Sequence, residues 1–97
     1  MNAPVIHRSI LQRHVATIEA KHPIKLLGLL PRGSAAHVSD ENALDFLGEK
    51  QPGLDLLGLC EAEVELGTLL GRPVGIVLVS GLKGREAIEL PRTLDPL

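Results

Sequence analysis

The first residues that suggest chemistry are Gly33 and Ser34, which follow an apolar run and precede a segment that can start a helix. A glycine at such a turn lets the backbone approach a ligand, and the free N–H groups of a helix N-terminus attract an anionic phosphate. The same pair is also common as an ordinary turn and helix N-cap. The turn therefore predicts a phosphate-binding loop or, more often on local grounds, a simple helix start.

Asp45 is a carboxylate inside the apolar segment 43–47, which is predicted to be a strand. An ionised carboxylate is costly to bury unless it is paired or binds a metal. Asp45 is therefore a candidate cation ligand. The alternative is that this strand lies at a sheet edge, where Asp45 would point into water or block edge pairing.

The histidines and the cysteine are weaker candidates. His22 lies at the end of the first predicted helix and is expected at the surface. His37 comes three residues after Ser34, but no third residue completes a Ser–His arrangement, so hydrolysis is not predicted. Cys60 lies in a leucine-rich segment and is expected to be a small buried hydrophobe rather than a nucleophile.

Length and composition exclude several classes of function. The chain has 97 residues, which suits one domain over residues 1–97. Ten Lys and Arg face twelve Asp and Glu, and Phe46 is the single aromatic residue, so nucleic-acid binding is not predicted. One cysteine fits a reducing compartment, and no segment approaches the roughly 20 apolar residues that span a bilayer. We expect a cytoplasmic protein that does not bind membranes.

The elements that position these residues follow from hydrophobic periodicity, prolines and glycines. In chain order they are a helix at 4–21, a strand at 24–30 covered on both faces, a short helix at 35–38, a strand at 43–47, a return at 48–53, a helix at 54–70 capped by Gly71, a strand at 74–79, a short helix at 85–90 and a tail of uncertain order. This alternation favours a small α/β or α+β fold, with a mixed sheet of about three to four strands packed with helices.

Taken together, these motifs resemble the minimal nucleotidyltransferases, small relatives of the polymerase β fold that are often encoded as antitoxins beside a HEPN-domain toxin. The resemblance lies in Gly-Ser-Ala-Ala-His-Val at 33–38, Asn-Ala-Leu-Asp-Phe-Leu at 42–47 and Gly-Arg-Pro-Val-Gly-Ile-Val at 71–77. It extends over nearly the whole chain. The resemblance implies a nucleotidyltransferase-like fold.

The family resemblance also implies a site for ATP or another nucleoside triphosphate. Its phosphates would lie on Gly33 and Ser34, with His37 at the position of the family's usual arginine. Two Mg²⁺ ions would bridge the triphosphate and three aspartates, and a hydroxyl would attack the α-phosphorus. Asp45 matches one of those aspartates and is the implied catalytic and metal-binding residue.

This sequence departs from the family pattern at the chemistry. Ala43 and Gly75 stand where the other two aspartates are expected. A single carboxylate cannot hold two Mg²⁺ ions, each of which needs near-octahedral oxygen coordination. Asp40 or Glu41 could fold back as a substitute ligand, but a loop carboxylate is poorly preorganised.

Besides a nucleotide-binding sensor, in which Gly33 and Ser34 would hold phosphate without reaction, two functions are consistent with this pattern. The first is a partner-binding domain of the antitoxin type with little or no catalysis, which would present its leucine-rich surfaces to a HEPN-like helical toxin or to a second copy as a homodimer. The alternative is an active Mg²⁺-dependent nucleotidyltransferase, which moves a nucleoside monophosphate from a nucleoside triphosphate to a protein or small-molecule hydroxyl.

Overall fold

The computed structural model describes residues 7–31, 34–35, 42–82, 84 and 92–97. Within these ranges the chain forms two α-helices and a four-stranded sheet, which confirms the predicted fold class. In chain order the elements are α1 (Arg8–Lys21), β1 (Ile24–Leu29), β2 (Leu44–Lys50), α2 (Leu56–Leu70), β3 (Val74–Leu78), a 3₁₀ turn (Val79–Gly81) and β4 (Asp95–Pro96). Over the described residues, neither helix has the length and apolar character needed to cross a bilayer.

The sheet is mixed, with the strand order β3-β2-β1-β4. β1 is antiparallel to both β2 and β4, whereas β2 is parallel to β3. β2 is therefore an inner strand with a hydrogen-bonded neighbour on each side, and this position buries the chemistry-bearing residue that it carries.

One hydrophobic core joins both helices to the sheet. Its central side chain is Phe46, which is fully buried. The other buried members come from α1, β1, α2, β3 and the loop before α2, and they are Leu11, Val15, Ile18, Ile24, Leu26, Leu54, Ala62, Leu66, Val74 and Ile76. The alternation along the strands places these side chains on one face of the sheet and leaves Asp45 on the other.

The two ends of α2 follow from local sequence. Asp55 is extended at the N-cap, and its Oδ1 accepts a hydrogen bond from the Gly58 N–H at 2.7 Å, so the helix begins at Leu56 rather than at 54. Gly71 has φ +70°, which confirms it as the predicted C-terminal cap.

The predicted boundaries of β1 and β2 are partly wrong. β2 runs to Lys50, because Gly48, Glu49 and Lys50 pair with the first half of β1 instead of forming a return. β1 was expected to be covered on both faces, but Lys25 is exposed and buried residues alternate with more exposed ones along the strand. Strand pairing thus extends further than the apolar pattern indicates.

The C-terminal tail also forms structure that the sequence did not indicate. Asp95 and Pro96 pair with Leu29 and Gly28 as β4. Arg8 at the start of α1 holds this strand, donating to the Pro96 carbonyl and, at 3.1 Å, to the Asp95 carboxylate. The predicted short helices at 35–38 and 85–90 lie outside the described residues, apart from Ala35.

Two glutamates on the helices accept hydrogen bonds from backbone donors of the sheet. Glu19 on α1 accepts a hydrogen bond from the Leu26 N–H of β1 at 2.8 Å, and Glu63 on α2 accepts one from the Ile76 N–H of β3 at 2.7 Å. An uncapped edge N–H is a site for pairing with another chain. Each helix therefore packs against the core and also supplies an acceptor for one backbone N–H of the sheet.

Candidate functional site

Asp45 lies on the inner strand β2 and is only 2% exposed. Because β2 has strands on both sides, the edge-strand alternative for Asp45 is wrong. The carboxylate is therefore a buried polar group on an inner strand, and its contacts decide what it does.

The two oxygens of the Asp45 carboxylate have different surroundings. Oδ2 accepts a hydrogen bond from the Ala35 N–H at 3.3 Å. Oδ1 is buried and has no hydrogen-bond partner among the residues that the structure describes. A buried acceptor without a partner is destabilising and is uncommon in folded proteins. Oδ1 is therefore the atom of this site with capacity for a ligand.

The chain before β2 comes close to this carboxylate through the turn at Ser34 and Ala35. The Ser34 hydroxyl donates to the Pro31 carbonyl at 2.6 Å, and its N–H donates to the same oxygen at 3.2 Å. A backbone N–H that donates to the carbonyl three residues earlier is the closing hydrogen bond of an ordinary β-turn. Ala35 is buried and contributes the N–H to Asp45, so two of the predicted site residues, Ser34 and Asp45, lie in one neighbourhood.

Several predicted site residues lie outside the described residues. They are Gly33, His37, Asp40 and Glu41. The proposed roles of Gly33 and His37 in nucleotide binding, and of the two loop carboxylates as substitute ligands, remain predictions from the sequence.

The positions around Asp45 that would complete a metal clamp carry no carboxylate. Gly75 on β3 is the register partner of Asp45, and Ala43 precedes it by two residues and is buried. Among the residues that the structure describes, no three metal-ligating side chains converge. Two Mg²⁺ ions each require near-octahedral coordination by oxygen atoms. The one unpaired oxygen of Asp45 does not fit that requirement, so the described residues do not form a two-metal site.

A polar cluster between the two helices was not apparent from the sequence. Glu65 on α2 accepts a hydrogen bond from Lys21 Nζ at 2.6 Å through Oε1, and its Oε2 lies 2.9 Å from His22 Nε2. The His22 side chain is only 12% exposed, so its expected surface position is wrong. The hydrogen bonds from His22 and then Lys21 hold the pKa of the Glu65 carboxyl below its usual value.

Cys60 also differs from the sequence prediction. Its side chain is exposed on α2, not buried as a small hydrophobe. The helix turns Ala62 and Leu66 toward the core instead, and Cys60 lies on its outer side. The leucine-rich pattern did not distinguish the two sides because α2 is apolar on both.

Comparison with solved structures gives a match to a chain provisionally described as a minimal nucleotidyltransferase. The two are 25% identical, the TM-score is 0.72, and the match covers 99% of this chain and 100% of that chain. No family model and no curated protein matches the sequence. The fold of this protein is therefore similar to that of a minimal nucleotidyltransferase, in agreement with the motif resemblance.

Proposed function

We propose that this protein is a cytoplasmic partner-binding domain of the antitoxin type, which keeps the minimal nucleotidyltransferase scaffold and has little or no catalysis. The observation that carries this proposal is the position of Gly75 and Ala43 around the buried Asp45. On this scaffold a two-metal reaction needs several carboxylates at one place. Here Asp45 contributes one carboxylate, and one of its oxygens is already bonded to Ala35.

The intact core supports a role for the scaffold without the reaction. Both helices and the sheet share one core around Phe46 and Leu66, while among the described residues Asp45 is the one carboxylate at the three expected metal-binding positions. A chain under selection for binding retains its surface and its stability, and it can lose groups that only the reaction uses. In such a role the partner is a HEPN-like helical toxin, with a second copy of this chain as the alternative.

The unpaired Oδ1 of Asp45 supports the alternative function, an active Mg²⁺-dependent transferase. In that case a loop carboxylate, Asp40 or Glu41, would join Asp45 around the metal. The nucleoside monophosphate of ATP would pass to a protein or small-molecule hydroxyl, with pyrophosphate as the leaving group. This alternative requires Asp45 for every turnover.

One experiment separates the two functions. The protein is incubated with Mg²⁺ and ATP labelled at the α-phosphorus, together with the protein encoded by the adjacent gene, and Asp45→Ala is the matched control. We expect no label transfer above the level of Asp45→Ala, and we expect the two proteins to elute as one complex in size-exclusion chromatography. Transfer that wild type performs and Asp45→Ala loses would establish the active enzyme. A strict monomer that forms no complex would count against partner binding.

A further inference from the structure

The outer side of α2 carries exposed apolar side chains that do not pack in the core. Leu56, Leu57 and Val64 are 75%, 67% and 71% exposed, and Cys60 is exposed between them. Residues 57, 60 and 64 follow the i, i+3, i+7 spacing that forms one stripe along a helix. We call these four residues the outer stripe. Its opposite side, with Ala62 and Leu66, already supplies the core contact of α2.

The outer stripe adjoins an open groove between α2 and the start of β3. The groove has a volume of about 670 Å³, and Val64, Gly67 and Pro73 are among its lining residues. An extended peptide added to β3 would need its edge N–H groups, but the Ile76 N–H is already bonded to Glu63. This cap disfavours strand addition and leaves side-chain packing against the helix as the way to cover the surface.

The charges of α2 indicate what kind of helix fits. From Asp55 to Leu70 the chain contains four acidic residues and no Lys, Arg or His. Glu63 and Glu65 are engaged within the fold, whereas Glu61 is exposed beside Cys60 in the middle of the outer stripe. An apolar stripe with an acidic margin is complementary to an apolar stripe with a basic margin.

A second copy of this chain is a poorer occupant. In a twofold antiparallel pairing of two α2 helices, an axis between Cys60 and Glu61 places Leu57 of each copy against Val64 of the other. The same axis places Glu61 of each copy opposite Cys60 of the other, so the two Glu61 residues lie about one residue apart along the helices. Two like charges then meet at the centre of the interface, with no basic residue on α2 to compensate them.

We propose that the outer stripe of α2 is a docking surface for an amphipathic helix of a partner protein whose apolar face is flanked by Lys or Arg. The inference rests on the proposed partner-binding function and assigns its surface. Leu57 and Val64 supply the apolar contacts, and Glu61 selects the basic flank.

The probes are two helix-stapled peptides of about 20 residues, long enough for a stable helix, which share one leucine face. One has Lys and Arg flanks and the other has Glu flanks. Fluorescence anisotropy measures binding to the full chain, and amide chemical shifts locate it. We expect the basic peptide to bind at least about tenfold more tightly than the acidic one, with shift changes on α2. Val64→Asp should weaken binding by about tenfold or more, and Val79→Asp, an exposed apolar position off α2, should not.

Glu61→Lys provides the second variant, since an exposed charge reversal leaves the core of the protein intact. It should reverse the preference of the protein toward the acidic peptide. Equal binding of both peptides, binding unaffected by Val64→Asp, or no binding by either would overturn the assignment. A wild-type dimer that Val64→Asp dissociates would assign the stripe to a second copy and overturn it as well.

The experiments can overturn the proposed function and the docking surface independently of each other. Label transfer that depends on Asp45 would overturn the non-catalytic function, while the peptide measurements would still stand. A complex with the neighbouring gene product that Val64→Asp leaves intact would overturn the docking surface, while partner binding would stand.

Discussion

Asp45 combines burial with an incomplete set of hydrogen bonds. Its Oδ2 accepts a hydrogen bond from the Ala35 N–H, which links the turn before β2 to the inner strand, and its Oδ1 has no partner in the described part of the chain. The same carboxylate thus stabilises a turn and carries the cost of a buried, unpaired acceptor. The hydrogen bond that stabilises the turn needs an acceptor atom but no negative charge.

The first prediction separates the acceptor from the charge. Asp45→Asn keeps an oxygen that accepts from Ala35 and replaces the carboxylate by a neutral amide, so its free energy of unfolding should lie closer to that of wild type than the value for Asp45→Ala. Asp45→Ala leaves the Ala35 N–H without this acceptor and should lower the free energy of unfolding by about 1–3 kcal/mol. Urea denaturation of the three proteins measures both changes. An Asn variant as unstable as the Ala variant would mean that the charge itself is needed.

At the junction of the two helices, Glu65 of α2 contacts two basic residues at the end of α1. Lys21 and His22 bind separate oxygens of this carboxylate. Their hydrogen bonds, first that of His22, hold the pKa of Glu65 below its unfolded-state value. Its stabilising contribution is therefore complete above the unfolded-state pKa and is lost as pH falls through the lower folded-state pKa.

The second prediction follows from that pH dependence. Wild type should be more stable than Glu65→Gln near neutral pH, and the difference should shrink as pH falls below about 4, where free glutamate titrates. Glu61→Gln changes an exposed carboxylate on the same helix and serves as the control, with a difference that stays nearly constant. Denaturant midpoints from pH 7 to pH 3 measure these differences. A Glu65→Gln difference that grows on acidification would contradict the assignment.

The edge strand β3 gives a third prediction, because Glu63 accepts a hydrogen bond from its Ile76 N–H. Glu63→Ala should expose the Ile76 N–H and lower the free energy of unfolding by about 1.5–3 kcal/mol, the range for a hydrogen bond to a charged group. It should also increase association at high concentration, seen by light scattering. Glu63→Gln retains an acceptor and should restore most of both properties. Faster amide exchange at Ile76 in the Ala variant alone would locate the effect.

At the scale of elements, the sequence predicted the helices and strands whose residues follow a short-range hydrophobic pattern. The near-helical spacing of Ile10, Val15 and Ile18 predicted α1, and the β-branched run predicted β3. The length of β2 depends instead on pairing with β1, more than fifteen residues away, which no local pattern of Glu49 and Lys50 expresses. α2 is apolar on all sides, so the exposure of Cys60 likewise depends on which side of the helix packs against the core.

The candidate site shows the same division. The apolar surroundings of Asp45 in the sequence predicted a costly buried carboxylate, and the structure places it at 2% exposure. Its hydrogen bond to Ala35 joins residues ten apart through a turn, and the Glu65 contact to His22 joins residues 43 apart. Such partners are set by how the elements pack. The sequence therefore identified Asp45 as a candidate but not the atoms that form hydrogen bonds with it.

At the scale of the whole molecule, the two ends of the described chain meet. Arg8 at the start of α1 contacts Asp95 and Pro96, and β4 pairs with β1 on the side away from β2. The exposed Arg8–Asp95 ion pair is worth little by itself, about 0–1 kcal/mol. Close backbone approach between the two strands is the stronger requirement, and it depends on Gly28.

The fourth prediction tests whether this closure is sterically specified. A Cβ at Gly28 would overlap the Asp95 carbonyl and crowd the Leu94 side chain, so Gly28→Ala should displace β4. Gly81→Ala is the matched control, because a Cβ there meets nothing within 4 Å. We expect Gly28→Ala to lower the free energy of unfolding by about 1–3 kcal/mol, as overpacking does, and to accelerate amide exchange at Leu29 and Asp95. Gly81→Ala should change either quantity little. If both variants behaved alike, the association of β4 with β1 would not depend on the absent side chain, and Arg8 would have to account for it.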